Sequence, residues 1–187
     1  MDQVTTISLF VLFFALCLPV LHRLFHRWPS VYKLMRYVIF IVYMIANLYE
    51  TILFRAVQPA PTAKWELLWS YRRSLSFADG VTVTDLPLLV EILLNILLYI
   101  PLGYLLPFLW PALRPKESNR FLFRYISLRI VLIGFLCSCA TEISQYIFRI
   151  GLFEFDDILN NTFGCLLGCM LFEMLPGMGK RKETKRC

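Results

Sequence analysis

Histidine is nearly absent: His22 and His26 are the only two in 187 residues, and both lie in a short basic turn far in sequence from any acidic cluster. The chain also lacks a His-x-x-x-His pair, a phosphate-binding glycine loop and a recognisable nucleophile–base pair. The usual zinc-hydrolase, nucleotide-binding and triad chemistries therefore have no footing in it. The six cysteines form no framework either. Cys17, Cys137, Cys139, Cys165 and Cys169 all fall inside apolar stretches, where cysteine packs as a small hydrophobe. Cys137-x-Cys139 and Cys165/Cys169 lack zinc-knuckle spacing and a nearby histidine. Charged residues make up 17%, and the net charge of +6 is scattered in short clusters rather than gathered into a patch. No nucleic-acid partner, metal or cofactor is expected from this pattern.

Apolar side chains are abundant instead: 58% of residues are hydrophobic, 16% are aromatic and the mean hydropathy is +0.63. A spanning helix needs about 20 apolar residues at ~1.5 Å each. Five segments meet that length, at about 4–21, 37–54, 86–110, 125–148 and 157–175. The expected fold is all-α, a polytopic membrane bundle of about five transmembrane helices. The first apolar run follows Met1-Asp2-Gln3, without the positive charge of a signal peptide, and reads as a retained span. The chain divides into a first span with a basic turn (1–36), a membrane domain (37–175) containing a long connection (55–85), and a basic tail (176–187).

Charge sets the expected orientation. With five spans, the basic turn, the third connection and the tail share one side and hold thirteen basic residues, against five on the other. The positive-inside rule makes the richer side cytoplasmic, so the N-terminus is outside and the C-terminus inside. The long connection is then external. It begins with the extended Gln58-Pro59-Ala60-Pro61, and Trp65, Leu68 and Trp69 follow at helical spacing. That spacing predicts a short interfacial helix, serving as an anchor or as a grip on an anionic headgroup through Arg72 and Arg73.

In this topology the costly groups gather at one depth. Asn47 and Glu50 on the second span, Glu91 and Asn95 on the third, Glu142 and Gln145 on the fourth, and Asp156, Asp157 and Asn161 on the fifth all fall in the outer half of the bilayer. Polar and charged groups in hydrocarbon cost a few kcal/mol each, so they face one another or a wet cavity. Glu142, Gln145 and Arg149 follow i, i+3, i+7 and share a helix face. Asp157 is placed to cap the last helix. Gly164-x-x-x-Gly168 lets another helix approach closely, and the simplest assembly packs the last two spans as a hairpin with the polar groups at its mouth. Singly, each of these residues is explained by helix register or capping; as a set they form a candidate site. Two adjacent carboxylates can divide into acid and base, and carboxylates with amide oxygens can hold a hard cation.

The stretches "NILLYIPLGYLLP" (95–107) and "TEISQYIFRIGLFEFDDILNNTFGCLLG" (141–168) resemble the VanZ family of small bacterial membrane proteins. The first matches that family's Asn-x-x-x-x-x-Pro-Leu-Gly helix. The second matches its Glu-x-x-Gln, Arg, Asp-Asp-x-x-x-Asn-x-x-Gly signature, and "LYETILFR" (48–55) fits more loosely. Arg149 stands further from the acidic pair than the arginine of many members. The resemblance implies a multi-pass protein of the bacterial cell membrane, in a family whose founding member is associated with resistance to the glycopeptide teicoplanin. The leading expectation is a protein that binds a lipid or lipid-linked envelope component at the outer leaflet. Glu142, Gln145, Asp156, Asp157, Asn161, Asn95 and Glu91 would supply the polar floor, with Arg149, Arg72 and Arg73 meeting phosphate or carboxylate. Pro101 and Gly103 would kink and thin the third helix. Two further readings stand beside it: an intramembrane hydrolase or transferase on a lipid-linked substrate, with Glu142 or Asp157 as the catalytic candidate, and a non-catalytic accessory protein.

Overall fold

The computed structural model describes residues 27–53, 55–76, 82–113 and 127–174. The first apolar run, the cluster of basic residues at 114–124 and the basic tail lie outside the described residues. What is described is mostly helical: α1 (Pro29–Leu48), α2 (Trp69–Ser74), α3 (Leu86–Leu109), α4 (Leu128–Phe148) and α5 (Phe155–Met174). Three helical stretches, Ser30–Leu53, Leu86–Leu109 and Leu128–Phe148, are long and apolar enough to cross a membrane. α5 is 20 residues long, but its first turn carries Asp156 and Asp157.

α1 starts at Pro29, earlier than the span expected from residue 37, because proline suits the first helical turn where its missing N–H is not needed. Arg36 thus lies on the helix rather than in a connection. Its guanidinium donates to the Phe108 carbonyl at 3.0 Å and stacks over the Tyr32 ring, a pairing that satisfies an end-of-helix carbonyl of α3. At its other end α1 runs into a π-helical turn, Tyr49–Leu53, whose inward residues are Glu50 and Thr51. Such turns widen a helix locally and re-aim side chains.

α3 is the central element. Asp85 caps it by accepting from the Leu88 N–H at 3.2 Å, and the helix continues through Pro101 and Pro107 with residues 101–109 all buried. α5 packs most extensively against α3 and next against α4. A side chain at Gly164 would overlap the Ile96 carbonyl, one at Gly168 the Ile100 carbonyl, and one at Gly103 the Cys165 carbonyl. The small-residue stripe therefore receives α3 rather than the α4 partner of the hairpin. Lipid is as apolar as leucine, so helices in it are held by close van der Waals packing and hydrogen bonds rather than by the hydrophobic effect. Here the polar ties are Tyr43 Oη to the Leu98 carbonyl at 2.9 Å, Tyr99 Oη with Thr141 Oγ1 at 3.3 Å, and Asn161 Nδ2 to Ser138 Oγ at 2.9 Å. Cys165 and Cys169 are fully buried among Ile130, Leu105 and Phe172.

The all-α expectation needs one amendment. The connection after the π turn contains β1 (Thr62–Lys64), which pairs in parallel with β4 (Leu152–Glu154) in the α4–α5 turn, and a small antiparallel pair, β2 (Leu75–Ser76) with β3 (Thr82–Val83). Trp65, Leu68 and Trp69 do not share one helix. Leu68 adopts φ 60°, and α2 begins only after it. Trp65 instead stacks on Phe153 and Phe155 of the hairpin turn.

Candidate functional site

α4 ends at Arg149, whose left-handed φ of 57° turns the chain; the Ile150 N–H returns to the Gln145 carbonyl at 3.0 Å. The next residue, Gly151, leaves room for two side-chain ends. A Cβ at Gly151 would lie 2.8 Å from Gln145 Oε1 and 3.0 Å from Arg55 Nη1. β4 then leads directly into α5, which puts Glu154, Asp156 and Asp157 beside the end of α4.

Glu142 is 1% exposed. Its Oε2 accepts the Glu154 backbone N–H at 3.0 Å, so α4 fixes the first residues of the returning chain. Gln145 is equally buried and donates from Nε2 to the Thr51 carbonyl at 3.0 Å, which ties the π turn to the same place. Asp156, with no exposure, accepts from the Leu68 N–H (2.6 Å), the Ser70 N–H (3.0 Å) and Ser70 Oγ (2.6 Å). It thereby caps α2 from another part of the chain, a carboxylate satisfying the open N–H groups of a helix start. Glu154 Oε2 accepts the Trp69 indole N–H at 3.1 Å, and Tyr71 donates to Asn160 Oδ1. Residues 62–71 are thus strapped over the mouth of the hairpin.

The electrostatics centre on one cation. Arg55 attracts Glu50, Glu142, Glu154 and Asp157. Burial pushes the Glu154 carboxyl up to about 7; the charges of Glu91 and Asp156 add to the rise, while the Trp69 hydrogen bond and Arg55 oppose it. Burial, then the charges of Asp156 and Asp157, raise the Tyr71 phenol above its ordinary value, so it remains a donor at neutral pH. Several buried polar atoms near these elements have no hydrogen-bond partner among the described residues: Glu50 Oε2, Arg55 Nε, Asn95 Nδ2, Gln145 Oε1, Asn160 Nδ2 and Asn161 Oδ1. Each such atom costs about 1–3 kcal/mol unless a water or ligand meets it.

The sequence-expected residues fall into two groups. Glu142, Gln145, Asp156 and the half-buried Asp157 lie together at the mouth, and the exposed Glu91 on α3 contributes charge to it. Asn161 is buried one turn further in, against Ser138. Asp157 stands within the first turn of α5, not ahead of it as a cap. The three expected arginines point to other work. Arg72 pairs with Glu66 at 2.6 Å and Arg73 with Asp85 at 3.3 Å, both largely exposed. Arg149 is exposed at the helix end, where its carbonyl accepts the Gln58 N–H. The cation that does face the carboxylates, Arg55, was legible only through its place at the end of "LYETILFR". Nothing in the sequence marked Ser70 or Tyr71 as partners of the hairpin.

Mostly helical, with three membrane-length apolar helices among its described residues, the chain belongs as a class to the membrane proteins. The VanZ/LLP1 family profile matches residues 13–176, most of the chain, and the protein belongs to that family. No curated protein and no solved structure matches it.

Proposed function

We propose that the protein binds a lipid or lipid-linked cell-envelope component, with the headgroup in the polar mouth and an acyl chain in the adjoining groove. The observation that carries this reading is the junction of the two. α1 and α4 stand apart over α3, leaving a groove of about 290 Å³ that mixes Asn47, Thr51 and Thr141 with Leu48, Ile52 and Leu102. It continues into an apolar space of about 320 Å³ lined by Phe40, Leu106, Trp110 and Ile133. Thr51, at the polar end of this groove, holds Gln145 of the mouth through its carbonyl. A polar end joined to an apolar run suits an amphiphile lying against a membrane protein. On this reading the full chain crosses the bacterial cell membrane five times, with the strap 55–85 outside and the C-terminus cytoplasmic.

Photo-crosslinking tests it. A phospholipid with a photoactivatable acyl chain should label peptides containing Met44, Cys137 and Ser144, and excess unlabelled lipid should compete. Labelling spread evenly over the exposed faces of α1 and α4 would contradict a dedicated groove. Glycopeptide resistance is a further, separable proposal: expression in a susceptible host should raise the teicoplanin concentration needed to inhibit growth. Unchanged susceptibility would reject resistance and leave lipid binding standing.

A further inference from the structure

We infer that the mouth receives the ammonium group of a zwitterionic headgroup, with Arg55 meeting the headgroup's anionic part. The inference rests on the reading of the mouth as a headgroup site and names the chemical class that site takes.

The charges that face one another there are unequal. Among the described residues, Arg55 is the cation whose charge acts on Glu50, Glu142, Glu154 and Asp157. Glu91 adds a further negative charge acting on Glu142, Glu154 and Asp157. Arg72 and Arg73 are engaged by Glu66 and Asp85, and Arg149 is exposed at the end of α4. A phosphate would meet several carboxyl groups and little positive charge there, whereas an ammonium group would meet acceptor oxygens and would itself favour their ionised form.

Two buried acceptors make the same demand independently. Gln145 is 2% exposed, and its Nε2 is fixed by the Thr51 carbonyl. Its Oε1 is left without a donor, facing the Gly151 turn that Arg55 Nη1 also approaches. Glu50, 6% exposed, likewise keeps Oε2 without a donor. An ammonium group carries three N–H donors and no acceptor, so it suits either acceptor. Arg55 Nε is the opposite case, a buried donor without an acceptor. A phosphate or carboxylate on the same headgroup would satisfy it with a charge-assisted bond. Glu91 is exposed and Asp157 half-buried, unlike the fully buried Glu142 and Gln145.

The test is thermal unfolding of the full-length protein in neutral detergent, titrated with short-chain phosphatidylethanolamine or with phosphatidylglycerol of the same acyl chains. Both lipids carry a phosphate; only the first carries an ammonium. Phosphatidylethanolamine should raise Tm more, at lower concentration. Glu91→Gln, at an exposed position, should weaken that preference about two- to five-fold, the scale of one screened charge pair, and Glu142→Gln should abolish it. If Glu142→Gln does not fold, Glu91→Gln decides alone. Equal or greater stabilisation by phosphatidylglycerol, or an unchanged preference in Glu91→Gln, overturns the ammonium assignment and leaves lipid binding intact. No stabilisation by either lipid overturns both.

Discussion

A methyl group added at Gly103 would overlap the backbone carbonyl of Cys165, and one at Gly168 the carbonyl of Ile100. Backbone cannot swing aside as a side chain can, so α3 and α5 would have to separate. Gly103→Ala and Gly168→Ala should each destabilise the protein by about 1–3 kcal/mol, read as a lower Tm in detergent. The pH behaviour is also a single-residue matter. Glu154 holds its proton up to about 7, against an ordinary value of 4.5. The native state therefore binds that proton more tightly than the unfolded chain. The stabilisation is fully present below about pH 4.5 and is lost as pH rises through about 7. Glu154→Gln should flatten that part of a Tm-against-pH profile. At this scale the sequence was informative about acids and poor about bases. Glu142, Gln145 and Asp156 announced themselves as polar groups in apolar surroundings. Arg149, next to them in sequence, faces away, because the left-handed residue that ends α4 takes it off the helix face.

The strap is where sequence reasoning fell short at the level of elements. Trp65, Leu68 and Trp69 have helical spacing, but β1 pairs with β4 and Trp65 packs on Phe153, so tertiary contacts override the local pattern. Asp156 is the clasp. Asp156→Ala would leave two backbone N–H groups and a hydroxyl without their acceptor, at about 1–3 kcal/mol for each one that water does not reach. Hydrogen exchange should then accelerate at Leu68 and Ser70 while the amides of α3 keep their protection. Equal acceleration in both would mean that Asp156 supports the whole bundle rather than the strap. The long helices were far more legible, since three of the five apolar runs recur in the structure as membrane-length helices. The largest shift is at the start of α1, drawn back to Pro29 by the preference of proline for a first turn.

For the whole molecule, membership of the VanZ/LLP1 family and three membrane-length helices among the described residues point to a membrane protein. The proposed five-span orientation rests on span count and charge bias, and cysteine labelling from the two sides of the membrane checks it. Single cysteines at Lys64 and Lys185 should react with impermeant reagent from outside and inside respectively. The proposal that joins the scales is that buried Glu142 and Gln145 form, with the groove beside Thr51, a place for one lipid. Native mass spectrometry of the detergent-extracted protein tests it most directly. Wild type should retain a single lipid mass that is lost or much reduced in Glu142→Gln at equal protein recovery; a lipid-free wild type, or an undiminished adduct in the variant, would contradict it.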